Sequence, residues 1–384
     1  MHIRIAGAGV AGLASAIALA RAGHEVTVHE QAARLEEVGA GLQLGPNAVR
    51  ALTSLGAWDG LEPKTCAPQA IHVHDALTGK RRSTLPLGSR FEARFGAPYR
   101  VAHRADLLNA LAAATRSLPN LEILTGQRLS RLDLSSPATP RLAFNGTELS
   151  CGLAIGADGV RSTLRRAIAP GVDPRPAGDG LYRALSPASA LPAALDPDAV
   201  HLFLGPRAHA VAYLVSGGKR LNIVASVAGA APVEGWNALA GRDQVIAAFP
   251  AACQPLRDLL SAPANWLAWA GADIEPFEGW SKGHAVLVGD AAHATLPHLA
   301  QGAAMALEDA VELGRQVGDG EDIAAALARF EAARKPRTSR IVLGSRAQGS
   351  IYKMTGPAAI ARNLAMQLMP ASRQIERLAW IYEG

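Results

Sequence analysis

Cysteine is scarce in this chain: Cys66, Cys151 and Cys253 stand 85 and 102 positions apart, with no C-x-x-C spacing and an odd total. That excludes a disulfide framework and a thiolate zinc site, predicts no metal centre, and fits a reducing, cytoplasmic setting. Long apolar runs are also missing, since no window reaches the ~18 uninterrupted apolar residues of a membrane span. The N-terminus imitates a signal peptide, but Gly7, Gly9 and Gly12 interrupt its apolar stretch and Arg21 and Glu25 follow, so folded structure is predicted there. Lysine is rare: six of the 38 basic residues, so positive charge is mostly guanidinium, the group suited to forked contacts with phosphate or carboxylate. The basic residues are scattered and the net charge is only +5, which argues against nucleic acid as a partner. Internal repeats and low-complexity linkers are absent too.

What is present is a chain of 384 residues, 49% hydrophobic, enough for roughly two to three domain-sized units of a soluble globular protein. His2 to Ala6 reads as an apolar strand, Gly9 to Arg21 as an Ala/Leu helix and Glu25 to Glu30 as an alternating strand, a β-α-β opening. Helical spacing vanishes between Pro68 and Pro98 and returns over His103 to Leu118. Strand patterns then cover Ala199 to Leu204, Ala210 to Val215 and Leu221 to Val227, with a hairpin turn at Ser216-Gly217-Gly218. Helices are expected over Gly302 to Val317, Glu321 to Arg334 and again after Pro357. This order predicts an α/β nucleotide-binding domain interrupted by a smaller domain with an antiparallel sheet.

Gly7-Ala8-Gly9-Val10-Ala11-Gly12 sits between the first strand and helix, and Glu30 closes the next strand. The first glycine permits the tight turn, the second lets a pyrophosphate approach the backbone, and the third lets helix and strand pack closely. The helix N-terminus adds N–H groups and partial positive charge, while Glu30 suits ribose hydroxyls. This motif alone does not separate FAD from NAD. Asp290 emerges where the apolar strand Ala285 to Val288 ends, a place for a carboxylate to accept hydrogen bonds from sugar-alcohol hydroxyls. Gln301-Gly302-Ala303-Ala304-Met305 then opens a helix whose free N–H groups suit a developing negative charge. Asp158 follows another apolar strand, either at a nucleotide or as the cap of a helix over Ser162 to Ile168. In the strand Ala208 to Val215, His209, Val211 and Tyr213 share one face.

Three segments carry a resemblance: Ala154-Ile155-Gly156-Ala157-Asp158-Gly159-Val160-Arg161-Ser162, Gly289-Asp290-Ala291-Ala292-His293, and Pro297-His298-Leu299-Ala300-Gln301-Gly302-Ala303-Ala304-Met305. With Glu37-Val38-Gly39-Ala40-Gly41-Leu42-Gln43 and His103-Arg104-Ala105-Asp106-Leu107, they resemble the single-component FAD-dependent aromatic hydroxylases of the salicylate, 3-hydroxybenzoate and 6-hydroxynicotinate monooxygenase type. The resemblance implies a p-hydroxybenzoate hydroxylase-like fold with C-terminal helices. Its expected parts are a discontinuous FAD-binding domain over residues 1–70, 99–178 and 275–340, a substrate domain over 71–98 and 179–274, and a helical segment over 341–384. It also implies bound FAD, NADH or NADPH as transient co-substrate, O2, a small hydroxylated aromatic acid, and oxygen transfer through a flavin C4a-hydroperoxide, in a monomer or homodimer.

Under the resemblance, FAD is held by Gly7, Gly9, Val10, Ala11, Gly12, Glu30, Gln31, Arg34, Gly41, Arg104, Asp158, Arg161, Asp290, Pro297, Gly302, Ala303, Ala304 and Met305. His209, Tyr213, His298 and Gln43 face the substrate, and an imidazole titrating near neutrality suits its deprotonation. His293 is expected to be structural. Rival enzymes lack their marks: there is no second G-x-G-x-x-G, and Trp266-Leu267-Ala268-Trp269 has the wrong spacing for a flavin halogenase. A dehydrogenase leaves residues 289–305 unexplained. A flavin-binding protein without turnover, such as a sensor, is the alternative from another class.

Overall fold

The computed structural model describes residues 1–35, 40–229, 238–318 and 322–383. Glu37, Val38, Gly39 and Glu321, named above, lie outside the described residues. Strand His2–Ala6 buries Ile3, Ile5 and Ala6 and leaves His2 and Arg4 half-buried, as a strand inside a largely covered parallel sheet does. It lies in a six-stranded sheet ordered Ser281–Lys282, Ala285–Leu287, Leu153–Gly156, His2–Ala6, Glu25–His29 and Leu121–Leu124. All neighbours are parallel except Ser281–Lys282 with Ala285–Leu287. Because Ala6 pairs with Gly156 and Gly156 with Leu287, the turns that follow three distant strands line one edge of the sheet. Gly7, Asp158 and Asp290 thereby become neighbours at the carboxyl ends of parallel strands, where α/β sheets bind ligands.

The second large sheet has eight strands: Ala238–Ala240, Trp266–Asp273, Arg175–Pro187, Arg220–Ala228, Ala208–Val215, Ala199–Gly205, Ala70–Asp75 and Arg81–Pro86. It is antiparallel except where Ala199–Gly205 runs parallel to Ala70–Asp75. The early pair of strands thus extends a sheet built mainly by much later sequence. Strand Gly41–Leu44 pairs with Arg100–His103 to make a separate two-stranded sheet. A third unit, the antiparallel strands Leu129–Asp133, Arg141–Phe144 and Thr147–Ser150, was not expected from the sequence pattern.

Helix Ile323–Tyr352 runs through Pro336, so the expected boundary between residues 340 and 341 falls inside one helix. Proline removes one backbone donor, but packing on both sides outweighs this: Ile341 and Val342 are buried, and the Ser345 hydroxyl donates to the Leu296 carbonyl at 2.6 Å. Arg334, on the same helix, is 6% exposed and donates to Asp309 and Glu308 at 2.8 Å each. Asp309 also accepts from the Gly289 backbone N–H at 2.9 Å and from His293 at 2.6 Å. Burial opposes ionisation of Asp309, yet His293 and Arg334 hold it down at about 2. His293, for which a structural part is expected, is buried against Asp309. Among the described residues no helix is long and apolar enough to cross a membrane.

Arg334→Ala strips two buried carboxylates of their shared cation, so urea unfolding should show a loss of about 3 to 5 kcal/mol.

Candidate active site

The glycine loop shows why its residue types are needed. Gly7 holds φ at +101°, and a Cβ on Gly12 would lie 1.8 Å from the Gly7 carbonyl oxygen, while nothing lies within 4 Å of the Cβ position on Gly9. The loop is therefore closed on the protein side and open on the ligand side. Among the described residues no side chain caps helix Val10–Arg21 or helix Gly302–Gln316, so both N-termini present backbone N–H groups and positive dipole ends. The Glu30 carboxylate accepts from the Ala8 N–H at 2.7 Å and the Ala32 N–H at 2.8 Å. A carboxylate has about four acceptor positions, so acceptor capacity remains for hydroxyls.

A cavity of about 370 Å³ reaches from this loop to the eight-stranded sheet, and its walls include Gly9, Val10, Ala11, Gly41, Gln43, Arg104, Asp290, Pro297, Gly302 and Ala303. From the sheet it receives His209, Val211 and Tyr213, the face predicted by alternation, and also Arg183, Val224, Ser226 and Trp269. Sequence spacing does not place these latter residues at the site. The pairing of His209 with Ser226 and of Val211 with Val224 puts Ser226 and Val224 on the same face, a fact that needs register rather than composition. Arg183 lies over the Trp269 ring at 5.0 Å.

Gly41 joins its two-stranded sheet to the eight-stranded one. Its N–H donates to Asn222 Oδ1 at 2.6 Å, and a Cβ there would meet Asn222 Cγ at 2.6 Å and Tyr213 Cε2 at 2.8 Å. Gln43, two residues on, accepts a hydrogen bond from Tyr99, and its side chain also bonds Tyr213. Beyond it lies a larger cavity of about 860 Å³ that shares Gln43, His209, Val211, Pro297 and Ala300 with the first. Ala300 holds a left-handed φ of 53°, which for a residue with a Cβ is strain placed where the two cavities meet.

His209 is buried, with its Nδ1 lacking a hydrogen-bond partner among the described residues. Its ring centroid is 5.2 Å from that of His298 and 5.1 Å from that of Tyr352. His298 Nε2 lies 3.9 Å from Asp179 Oδ2, and that carboxylate is paired to Lys353. Burial, reinforced by His298 and Lys353, pulls the His209 imidazole well below its usual range. Burial and Lys353 bring His298 to about 4 against the opposing pull of Asp179. This corrects the expectation of imidazoles titrating near neutrality: a dry pocket disfavours imidazolium, so both rings are neutral at pH 7. Burial likewise raises the Tyr99 and Tyr352 phenols.

Other expected cofactor residues sit differently. Asp158 caps helix Thr163–Ile168, accepting from Thr163 N at 2.6 Å, Leu164 N at 3.2 Å and the Ser162 hydroxyl at 2.5 Å, which favours the capping alternative. Arg161, Gln31 and Arg34 are exposed and outside the cavity walls. Ala304 and Met305 are buried away from the cavity, and the Met305 N–H is already bonded to the Gln301 carbonyl at 2.8 Å. Met305 thus has no backbone donor to offer, because a helix leaves only its first N–H groups free.

A family model described as an FAD binding domain matches residues 1–345. The chain is 36% identical over 384 residues to a 3-hydroxybenzoate 6-hydroxylase of Polaromonas naphthalenivorans, covering 100% of this chain and 96% of that one. The chain belongs to the FAD-dependent aromatic hydroxylases. A 6-hydroxynicotinate 3-monooxygenase of Bordetella bronchiseptica is 34% identical over 349 residues, covering 88% of this chain and 89% of that protein. Among solved structures, HpxO of Klebsiella pneumoniae complexed with FAD and uric acid superposes with a TM-score of 0.87 at 27% identity, covering 100% and 97% of the two chains. A salicylate hydroxylase substrate complex gives 0.84 at 25% identity, covering 100% and 95%.

The residues of this hydroxylase fit FAD. Along one cavity, the open face at Gly9 with the helix N-terminus at Val10 and Arg104 suits a pyrophosphate, Asp290 suits a polyhydroxyl chain, and the uncapped helix N-terminus at Gly302 suits a ring system. Asp290→Ala should weaken FAD binding by about tenfold, the loss of one or two hydrogen bonds, with little change in melting temperature. Asp158→Ala should instead lower stability by about 1 kcal/mol. Fluorescence titration of apoenzyme with FAD, alongside thermal unfolding, separates the two.

Proposed function

We propose that this hydroxylase uses NAD(P)H and O2 to place one oxygen atom on the ring of a small hydroxylated aromatic or heteroaromatic acid. The observation that carries the reading is the junction of the two cavities at Gln43, His209 and Pro297. There a ring from the larger cavity meets whatever the glycine-loop cavity holds. Relatives named for 3-hydroxybenzoate, 3-amino-4-hydroxybenzoate and 6-hydroxynicotinate, each a hydroxylated ring with a carboxylate, support the substrate class. Three free cysteines support a cytoplasmic setting.

Bound FAD supplies the redox chemistry, and the chain supplies position, dryness and proton control. The buried rings of Tyr99 and Tyr213, the half-buried ring of Tyr352 and the apolar wall at Val211 shield the junction from water. The unpartnered Nδ1 of His209 accepts the ring hydroxyl's proton, which raises electron density at the carbons ortho and para to it. A neutral imidazole with a depressed pKa passes a proton on rather than keeping it, and His298 and Asp179 are the next groups in line. Tyr213 and Gln43 orient the ring, while Gly9, Glu30, Asp290 and Gly302 hold the cofactor.

Acid precipitation of the yellow protein should release FAD, and hydroxybenzoates or hydroxypyridine carboxylates should stimulate NADH or NADPH oxidation with formation of a hydroxylated product. Flavin that no such acid causes NAD(P)H to reduce would favour the sensor alternative. His209→Ala and Tyr213→Phe should each lower kcat/KM by about ten- to a hundredfold with FAD content near wild type. Since His298 titrates at about 4 and His209 also below the usual range, kcat/KM should stay level above pH 6.5 and fall only as pH drops toward 4. An inflection near pH 7 from these rings would contradict the neutral relay.

A further inference from the structure

The hydroxylase reading leaves most of the larger cavity unused. Its volume of about 860 Å³ lies toward the top of the range of about 300–1,000 Å³ that hosts drug-sized ligands, far more than one substituted ring fills. Ser83 and Gln374, farther along the lining, are bonded to each other at 3.2 Å, while Gln43, Tyr99, His209, His298, Gln348 and Tyr352 surround the junction at the cavity's inner end. From there an arm runs outward between the sheet and the C-terminal helices. Alternation in strand Ala70–Asp75 turns Ile71 and Val73 into the arm while His72 and His74 face away, and Leu202, Met354, Met366 and Met369 complete its apolar walls. Methionine walls adapt to varied apolar shapes.

The arm reaches the surface beside Ala358, Ala361 and Ala365, exposed small residues of helix Gly356–Leu368. Arg362, between them in sequence, is 8% exposed and donates to the Ile351 and Tyr352 carbonyls at 3.0 Å each. Its guanidinium pins the helix over the arm and leaves the arm's interior apolar. Among the described lining residues, the other cation is Arg377, exposed at the mouth. We propose that the substrate is a hydroxylated aromatic acid bearing an apolar alkyl or aryl substituent, which lies along this arm while the ring sits at the junction. Only the ring end of this proposal rests on the hydroxylase reading.

The test is calorimetric titration of the FAD-loaded enzyme with 3-hydroxybenzoate and homologues carrying methyl, butyl or hexyl at each free ring position. In at least one positional series Kd should fall by tenfold or more from hydrogen to hexyl, against a ceiling of roughly fourfold for each fully buried methylene. Ala365→Trp, a change at an exposed helix position that fills the arm, should bring the hexyl compound to within about threefold of the unsubstituted ring. Affinities that stay level or worsen in every series overturn the proposal, as does a gain that survives Ala365→Trp. Parallel NADH oxidation keeps the two readings apart. Unsubstituted rings that turn over without any chain-length gain defeat the arm and spare the hydroxylase; a chain-length gain without turnover does the reverse.

Discussion

The buried guanidinium of Arg334 is the interaction on which the rest of the site depends. A charge this far from water is tolerable only when fully paired, and Arg337 beside Glu308 and His293 beside Asp309 complete the cluster. Here the partners are Asp309 and Glu308 on helix Gly302–Gln316. Asp309 in turn fixes the Gly289 N–H and His293, on either side of Asp290. Glu308 accepts from Asn47 at 2.6 Å, and Asn47 donates to Gln301 at 2.9 Å, just ahead of the uncapped N-terminus at Gly302. One ion cluster thus sets the spacing between the carboxylate offered to the sugar chain and the helix end offered to the ring.

The second constraint is the close approach of the two sheets at Gly41. A side chain at that position would collide with Asn222 and Tyr213, so glycine permits the strand carrying Gln43 to lie against the sheet carrying His209. The hydrogen bond from Gly41 to Asn222 holds that approach in register. Tyr213 and Tyr99 then share Gln43 between them. Cofactor binding, ring orientation and exclusion of water therefore arise at one seam, where the larger cavity meets the smaller.

Depressed imidazole pKa values follow from the same seam. His209 and His298 are enclosed by each other, by Tyr352 and by the nearby Lys353 charge, and among the described residues neither has a carboxylate within hydrogen-bonding distance to stabilise imidazolium. The pair is suited to moving a proton and poorly suited to storing one. The C-terminal helices contribute alongside the sheet, since Tyr352, Lys353 and the methionines that face Ile71, Val73 and Leu202 across the larger cavity come from beyond residue 345.

The sequence by itself determined the elements whose signal is local. The glycine loop, the strand-ending acids Glu30 and Asp290, and the shared face of His209, Val211 and Tyr213 follow from spacing within a few residues, because backbone sterics and side-chain alternation act at that range. Only the tertiary structure decided matters that turn on distant partners. Asp158 caps a helix and Met305 has no N–H to offer because nearby donors and acceptors are already engaged. Helix Ile323–Tyr352 passes Pro336 because packing outweighs one lost hydrogen bond. The parallel pairing of Ala199–Gly205 with Ala70–Asp75 joins segments more than a hundred residues apart, and the neutrality of His209 depends on what encloses it. Burial and pairing are properties of the assembled chain, and no local pattern encodes them.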